Sequence, residues 1–273
     1  MKLTVLVDNN TYIDEYYQGE PGFSCYLEEG NIKLLFDTGY SDLFMKNAEK
    51  MGINVMESNH IVLSHGHNDH TQGLKYMMEK GSVYDKALIA HPECFSERFM
   101  DGEPIGCPIP IEQIACNVSF IPCFRPFMIS PSLIFLGEIP RTNDFENLSP
   151  VGVQRKNNRM LPDYVLDDSA LVHVGEDGLF IITGCAHSGI CNIMEYVKQI
   201  FPDAPITGIL GGFHLMENDA QLEKTIDYLA SCNIKTIYPC HCVSLEAKAK
   251  MMEKLNVAEV GVGLTLEIES VRD

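Results

Sequence analysis

Ser64-His65-Gly66-His67-Asn68-Asp69-His70 follows the apolar run His60-Ile61-Val62-Leu63, and this junction decides the reading of the chain. Ile61 to Leu63 are strand formers, so the histidines begin where an extended segment ends. His65 and His67 alternate along that backbone and can point the same way. Asp69 and His70 fall where the chain turns into a helix and can face a second position nearby. Imidazole and carboxylate together suit zinc, iron, manganese or nickel. Three imidazoles and a carboxylate in so short a stretch read as a metal-binding loop rather than as solvated surface histidines.

Working outward, Leu3 to Val7, Phe23 to Leu27 and Ile32 to Phe36 read as short strands separated by Gly and Asn. Ser41 or Asp42 can cap a helix through Met51, which Gly52 ends. A helix from about Thr71 to Lys80 follows the histidine loop. The stretch from Gly102 to Pro150 is broken by prolines and reads as mostly loop, with short strands fitting at Asn117 to Ile121 and Leu133 to Leu136. Its part from Gly102 to Pro126 is expected to form a wall or lid over the site, or a self-association contact; a plain surface excursion is the alternative. From Ala170 the pattern alternates. Leu171 to Val174, Leu179 to Thr183, Ile206 to Leu210, Ile234 to Tyr238 and Leu264 to Ile268 are strands. Ile190 to Phe201, Leu222 to Leu229 and Leu245 to Leu255 are helices. One α/β domain over 1–273, with a Pro-rich insertion at about 102–150, is the expectation.

The 273 residues carry 20 Lys+Arg against 38 Asp+Glu, a net charge of −18. That balance argues against a nucleic-acid partner, which wants basic stripes. No apolar run approaches a membrane span. Met1-Lys2-Leu3 leads into a strand with no export pattern, and ten scattered cysteines read as reduced thiols, so a cytoplasmic protein is expected. The expected partner is a small-molecule substrate, and self-association into a homo-oligomer is left open.

The histidine loop, with Phe36-Asp37-Thr38-Gly39 upstream, resembles the metallo-β-lactamase superfamily. Alone, Asp37 reads as a turn or cap residue. The resemblance implies instead that it buttresses the metal loop. It also implies a four-layer αββα sandwich: two mixed β-sheets face to face, flanked by helices, with the site at one edge. Gly137-Glu138-Ile139-Pro140-Arg141 and Leu166-Asp167-Asp168-Ser169-Ala170, with the strand-end histidines below, look like the branch containing the dihydropterin–ribofuranosylaminobenzene phosphate synthases.

A dinuclear site needs ligands downstream, and three strands end in them: Gly184-Cys185-Ala186-His187, Gly212-Phe213-His214 and Cys240-His241-Cys242. The resemblance implies two divalent ions, zinc first, with iron or manganese as alternatives. His65, His67 and His187 would serve one; Asp69, His70 and His241 would serve the other. Where many relatives carry a bridging Asp, this chain has Cys185. It is read either as a bridging thiolate or as a small buried residue at a tight turn. His91 ends a strand and could support the site from behind the ligands. Cys240 and Cys242 are expected to point away from His241 by strand alternation.

The expected function is hydrolysis of a small, anionic ester or phosphoester by a hydroxide made nucleophilic between the metals. Asp69 and His214 are the candidate catalytic groups, His214 as proton donor to the leaving group. Arg141 is a candidate anion anchor, with a surface arginine as the plainer reading. A pterin-synthase-type transferase releasing pyrophosphate is the alternative function. A diiron oxygen- or nitric-oxide-reducing protein lacks its usual partner domain here, and a metal sensor without turnover stays open.

Overall fold

Strand alternation explains how the layers form. Leu34 and Phe36 in the Ile32–Phe36 strand share a core with Phe180 and Ile182 in the Gly178–Thr183 strand, while Leu35 and Ile181 face outward into separate clusters. Strands apolar on both faces need cover on both sides. The computed structural model, which describes residues 1–270, supplies it as two sheets packed face to face with helices outside each. Leu43–Lys50, Gly73–Lys80 and Ile111–Asn117 cover the first sheet. Ile190–Ile200, Ala220–Ser231 and Leu245–Met251 cover the second. The four-layer sandwich is the observed architecture. Each fully buried Leu or Phe between the sheets contributes about 1.5–3 kcal/mol.

The first sheet orders its strands Thr265–Glu267, Lys2–Val7, Ser24–Glu29, Ile32–Phe36, His60–Val62, Ala87–Ala90 and Ser119–Pro122, the last four parallel. The second runs Thr236–Pro239, Ile206–Gly211, Gly178–Thr183, Ala170–Gly175, Leu133–Phe135 and Phe127–Ser130, the first three parallel. Ligand sites form beyond the carboxyl ends of parallel strands. The chain leaves those ends at Val62, Thr183, Gly211 and Pro239, just before the histidine-bearing segments. No helix among the described residues is long and apolar enough to cross a membrane.

Three local expectations need correction. The segment 102–150 is the passage between the sheets: the two expected short strands are found at Ser119–Pro122 and Leu133–Phe135, and it also contributes the unexpected helix Ile111–Asn117 and the strand Phe127–Ser130, which pairs with Leu133–Phe135 to open the second sheet. Two of its prolines sit at element ends, Pro110 before the helix and Pro122 closing the strand. A third, four-stranded sheet of Arg98–Met100, Glu103–Pro104, Gly152–Lys156 and Arg159–Asp163 went unread because its strands are short and charged. Its hairpin turns on Asn157 and Asn158, both with positive φ (51° and 59°), as a tight two-residue turn requires. Finally, the helix after the histidine loop begins as a turn at Asn68–Thr71, so Asp69 and His70 lie on helical backbone.

Candidate metal centre

Three segments converge on one floor, one leaving the first sheet after Val62 and two leaving the second after Thr183 and Pro239. His65 Nε2 lies 3.0 Å from His67 Nδ1, and the His187 ring centre is 4.8 Å from that of His65 and 4.7 Å from that of His67. Beside them, His70 Nε2 lies 3.2 Å from His241 Nε2, and Asp69 Oδ2 is 3.2 Å from the same His241 nitrogen. Cys185 stands between the two sets. Its Sγ is 3.1 Å from His70 Nε2 and within 4.8 Å of donor atoms on His65 and His187.

Buried carboxylates hold the backbone of these loops. Ser64 N–H donates to Asp37 Oδ1 (2.7 Å), Gly66 N–H to Asp167 Oδ2 (2.8 Å), Ser188 N–H to Asp168 Oδ2 (2.9 Å) and His241 N–H to Asp8 Oδ1 (2.7 Å). Asp167 is paired in turn with Arg98, which also meets Asp163; all three side chains are buried. Two glycines make the close approach feasible. A Cβ on Gly66 would stand 2.0 Å from the Cys94 carbonyl oxygen, and one on Gly184 2.1 Å from Ser64 Oγ. Ala186, His214 and His241 take left-handed φ of 52°, 49° and 50°. Such backbone in residues other than glycine costs about 1–3 kcal/mol each and persists only where surroundings enforce it.

The hydrogen bonds also fix which nitrogens are free. Asp37 Oδ2 can only accept, so His70 donates through Nδ1 (2.6 Å); His241 Nδ1 likewise donates to Asn9 Oδ1 (3.0 Å). Two Nε2 atoms are left facing each other at 3.2 Å, an arrangement that needs a proton or a cation between them. Burial lowers the affinity of His70 for a proton, but Asp69 and Asp37 outweigh it and raise the pKa to about 9. The same field favours a divalent ion. Asp69 is pushed up by burial, but the neighbouring His70 and His241 hold it below the usual carboxylate range.

At the other set, burial, reinforced by the neighbouring imidazoles and Arg98, keeps His65 and His187 neutral, and burial chiefly brings His67 down to about 3. Neutral imidazoles are what a metal requires. His67 Nε2 and both nitrogens of His187 are buried without a hydrogen-bond partner. Nitrogens about 2.0–2.1 Å from a tetrahedral ion stand about 3.3 Å apart, close to the spacings found. The donor set fits metal ions.

Above the floor opens a cavity of about 770 Å³, walled by Pro21, Tyr40, Met100, Ile105, Val151 and Met216, with Asn9, Asn10 and Asn68 at its sides. Of the expected lid, Ile105 lines the cavity; Met100 and Val151 of the third sheet's vicinity complete that wall. His214 also lines it, its ring centre 4.3 Å from that of His187. Burial lowers the His214 pKa, but contact with the Cys242 sulfur outweighs this and raises it.

Several expectations are corrected here. Cys242 does not point away: it lines the cavity and its Sγ accepts from His214 N–H (3.2 Å). The strand stops at Pro239 and the left-handed His241 turns the chain, so alternation no longer applies. Cys240 is buried between the sheets. Arg141 does not line the cavity; its guanidinium donates to Ile139 O, Val165 O and Asn147 Oδ1, which stitch its own loop. His91, expected behind the ligands, does not line the cavity. It caps the Pro92–Phe95 turn by accepting from Glu93 N–H, with its ring against Phe124. Asp8, Asn9, Asp167 and Asp168 had escaped notice as site residues, although Asp8-Asn9 follows a strand just as the histidine loop does.

Residues 18–93 match the family model described as the metallo-β-lactamase superfamily. An uncharacterized protein of Methanocaldococcus jannaschii is 32% identical over 268 residues, covering 97% of this chain and 100% of that one. The same organism's 7,8-dihydropterin-6-methyl-4-(β-D-ribofuranosyl)-aminobenzene-5'-phosphate synthase is 28% identical, covering 93% of this chain and 91% of its own. Among solved structures, a metal-dependent hydrolase of the β-lactamase superfamily superposes with a TM-score of 0.85 at 27% identity, covering 99% of this chain and 100% of that one.

Proposed function

Because this chain belongs to the metallo-β-lactamase superfamily, we propose that it is a dinuclear metal-dependent hydrolase acting on an ester or phosphoester. The observation that carries this reading is that His65 with His187, and His70 with His241, share Cys185 on the floor of an open cavity, while His214 and Cys242 group with the same Cys185 at its side. His65, His67 and His187 would hold one ion, and Asp69, His70 and His241 the other, with Cys185 available to both. Zinc suits this nitrogen-rich, thiol-bearing set, with iron or manganese as alternatives. Ions bound there supply Lewis acidity and make water a nucleophile near neutral pH.

The chain's own groups do the rest. Asp69 contributes a fixed negative charge and, beside its ligand role, an acceptor that orients the attacking water. His214, on the cavity wall and inclined to keep its proton, donates to the leaving oxygen. The expected anion anchor Arg141 is occupied elsewhere, so for a phosphoester the scissile group itself would be the anionic part recognised, at the floor. Ten free cysteines, one of them at the centre, suit a reducing cytoplasmic compartment.

A second reading, a transferase of the kind named for the 28%-identical relative, is favoured by that similarity running along nearly the whole chain. The test is a screen of zinc-loaded protein against aryl phosphodiesters, carboxylic esters and lactones. Turnover of one class, abolished by chelation and in His67→Ala, is expected. Metal-replete protein inert on all three, yet coupling a pterin pyrophosphate with pyrophosphate release, would replace the first reading by the second.

A further inference from the structure

We propose that the substrate's body, beyond its scissile group, is uncharged and largely apolar, and that Tyr40, Met100, Ile105, Val151 and Met216 select it. This rests on the hydrolase reading of the same cavity and adds the substrate class to it. Three observations carry it.

The first is the lining. No lysine or arginine lines the cavity among the described residues, and its polar walls are the neutral amides of Asn9, Asn10 and Asn68 with Ser244. A second negative charge on the substrate, placed away from both the floor and His214, would leave water for walls with no opposite charge to receive it. The second is the fate of two guanidinium groups beside the metal loops. Arg98 lies buried beneath the metal loop and is matched by Asp163 and Asp167; Arg141 is consumed by carbonyls. Neither is free to bind an anion. The third is the field of the whole protein, which at −18 steers extra negative charge away. Against this, methionine at two wall positions offers a soft, adaptable apolar face, with Met100 47% and Met216 54% exposed. A cavity of about 770 Å³ accommodates a body of drug-like size.

The test measures binding rather than turnover, so it stands whether or not the hydrolase reading holds. Calorimetry on zinc-loaded protein compares 2-naphthylphosphonate, its 6-carboxylate derivative and methylphosphonate. All three present the same group to the floor. The naphthyl compound should bind at least about tenfold more tightly than methylphosphonate, because it buries apolar area. It should exceed the carboxylate derivative by at least about tenfold, because the distal charge finds no partner. Met216→Lys, at an exposed wall position, should narrow that second gap by improving only the carboxylate compound. Equal or tighter binding of the carboxylate derivative by the natural protein would overturn the proposal, as would equal binding of methyl- and naphthylphosphonate. Failure to hydrolyse any aryl ester while the naphthyl preference persists would count against the hydrolase reading alone.

Discussion

Asp37 Oδ2 lies 2.6 Å from His70 Nδ1, while the same carboxylate accepts from Ser64 N–H and Ser64 Oγ–H at 2.7 Å each. One buried residue thus fixes both the start of the histidine loop and the ring orientation of its last member. Ser64 Oγ in turn contacts His65 Nδ1 at 2.9 Å, so the support extends to a second ring. Groups that orient metal ligands in this way typically govern metal affinity by about 10–100-fold. Asp37→Asn should therefore weaken zinc binding by about that factor with little change in the fold, as competition against a chelator would record. Unchanged affinity would remove Asp37 from the account of the site.

The Asp163–Arg98–Asp167 cluster links the third sheet to the Gly66 N–H. Removing one member of a buried charge pair costs about 3–5 kcal/mol, since its partner is left uncompensated. Arg98→Met should lower stability by about that amount in denaturant titration. A change below about 1 kcal/mol would mean that solvent reaches the cluster.

His214→Ala should lower kcat by about 10²–10⁴ once a substrate is in hand, while metal content stays near that of the natural protein. His67→Ala should lose metal and activity together. If His214→Ala returned with one ion missing, His214 would be a ligand and the assignment of His187 would need revision.

The acid limb of stability should carry a contribution from Glu29. Burial pushes its pKa up, but hydrogen bonds from His173, Ser132 and Ser270 outweigh this and hold it down to about 2. A carboxylate held down in the folded state favours folding above its unfolded pKa of about 4.3. That contribution fades as pH falls from there towards about 2. Glu29→Gln should flatten the loss of stability across this window, measured by denaturant midpoints at successive pH values. An unaltered slope would contradict the assignment.

The parts of the site that could be read in the sequence are those carried by local spacing. The alternation of His65 and His67, the turn into Asp69 and His70, and strands ending just before His187, His214 and His241 are all visible within a few residues. Asp37 took its meaning from a resemblance, because nothing local separates a buttress from a cap. Cys242 was misread because a single left-handed residue, His241, breaks the alternation that the reading assumed. Arg141 was misread because its acceptors Val165 O and Ile139 O come together only in the fold. Asp167 and Asp168 stood in a recognised motif, yet their work on Gly66 and Ser188 depends on contacts between distant segments. In the passage from 102 to 150 the two short strands were legible, but the helix Ile111–Asn117 was not, because proline density signals element ends as well as loops.

The most direct test of the central claim is elemental analysis of zinc-reconstituted protein after exhaustive dialysis, made on the natural chain and on His67→Ala and His241→Ala. Two equivalents per chain in the natural protein, with each substitution losing at least one, is the predicted result. Less than one equivalent in the natural protein, or two equivalents retained in both variants, would contradict the account.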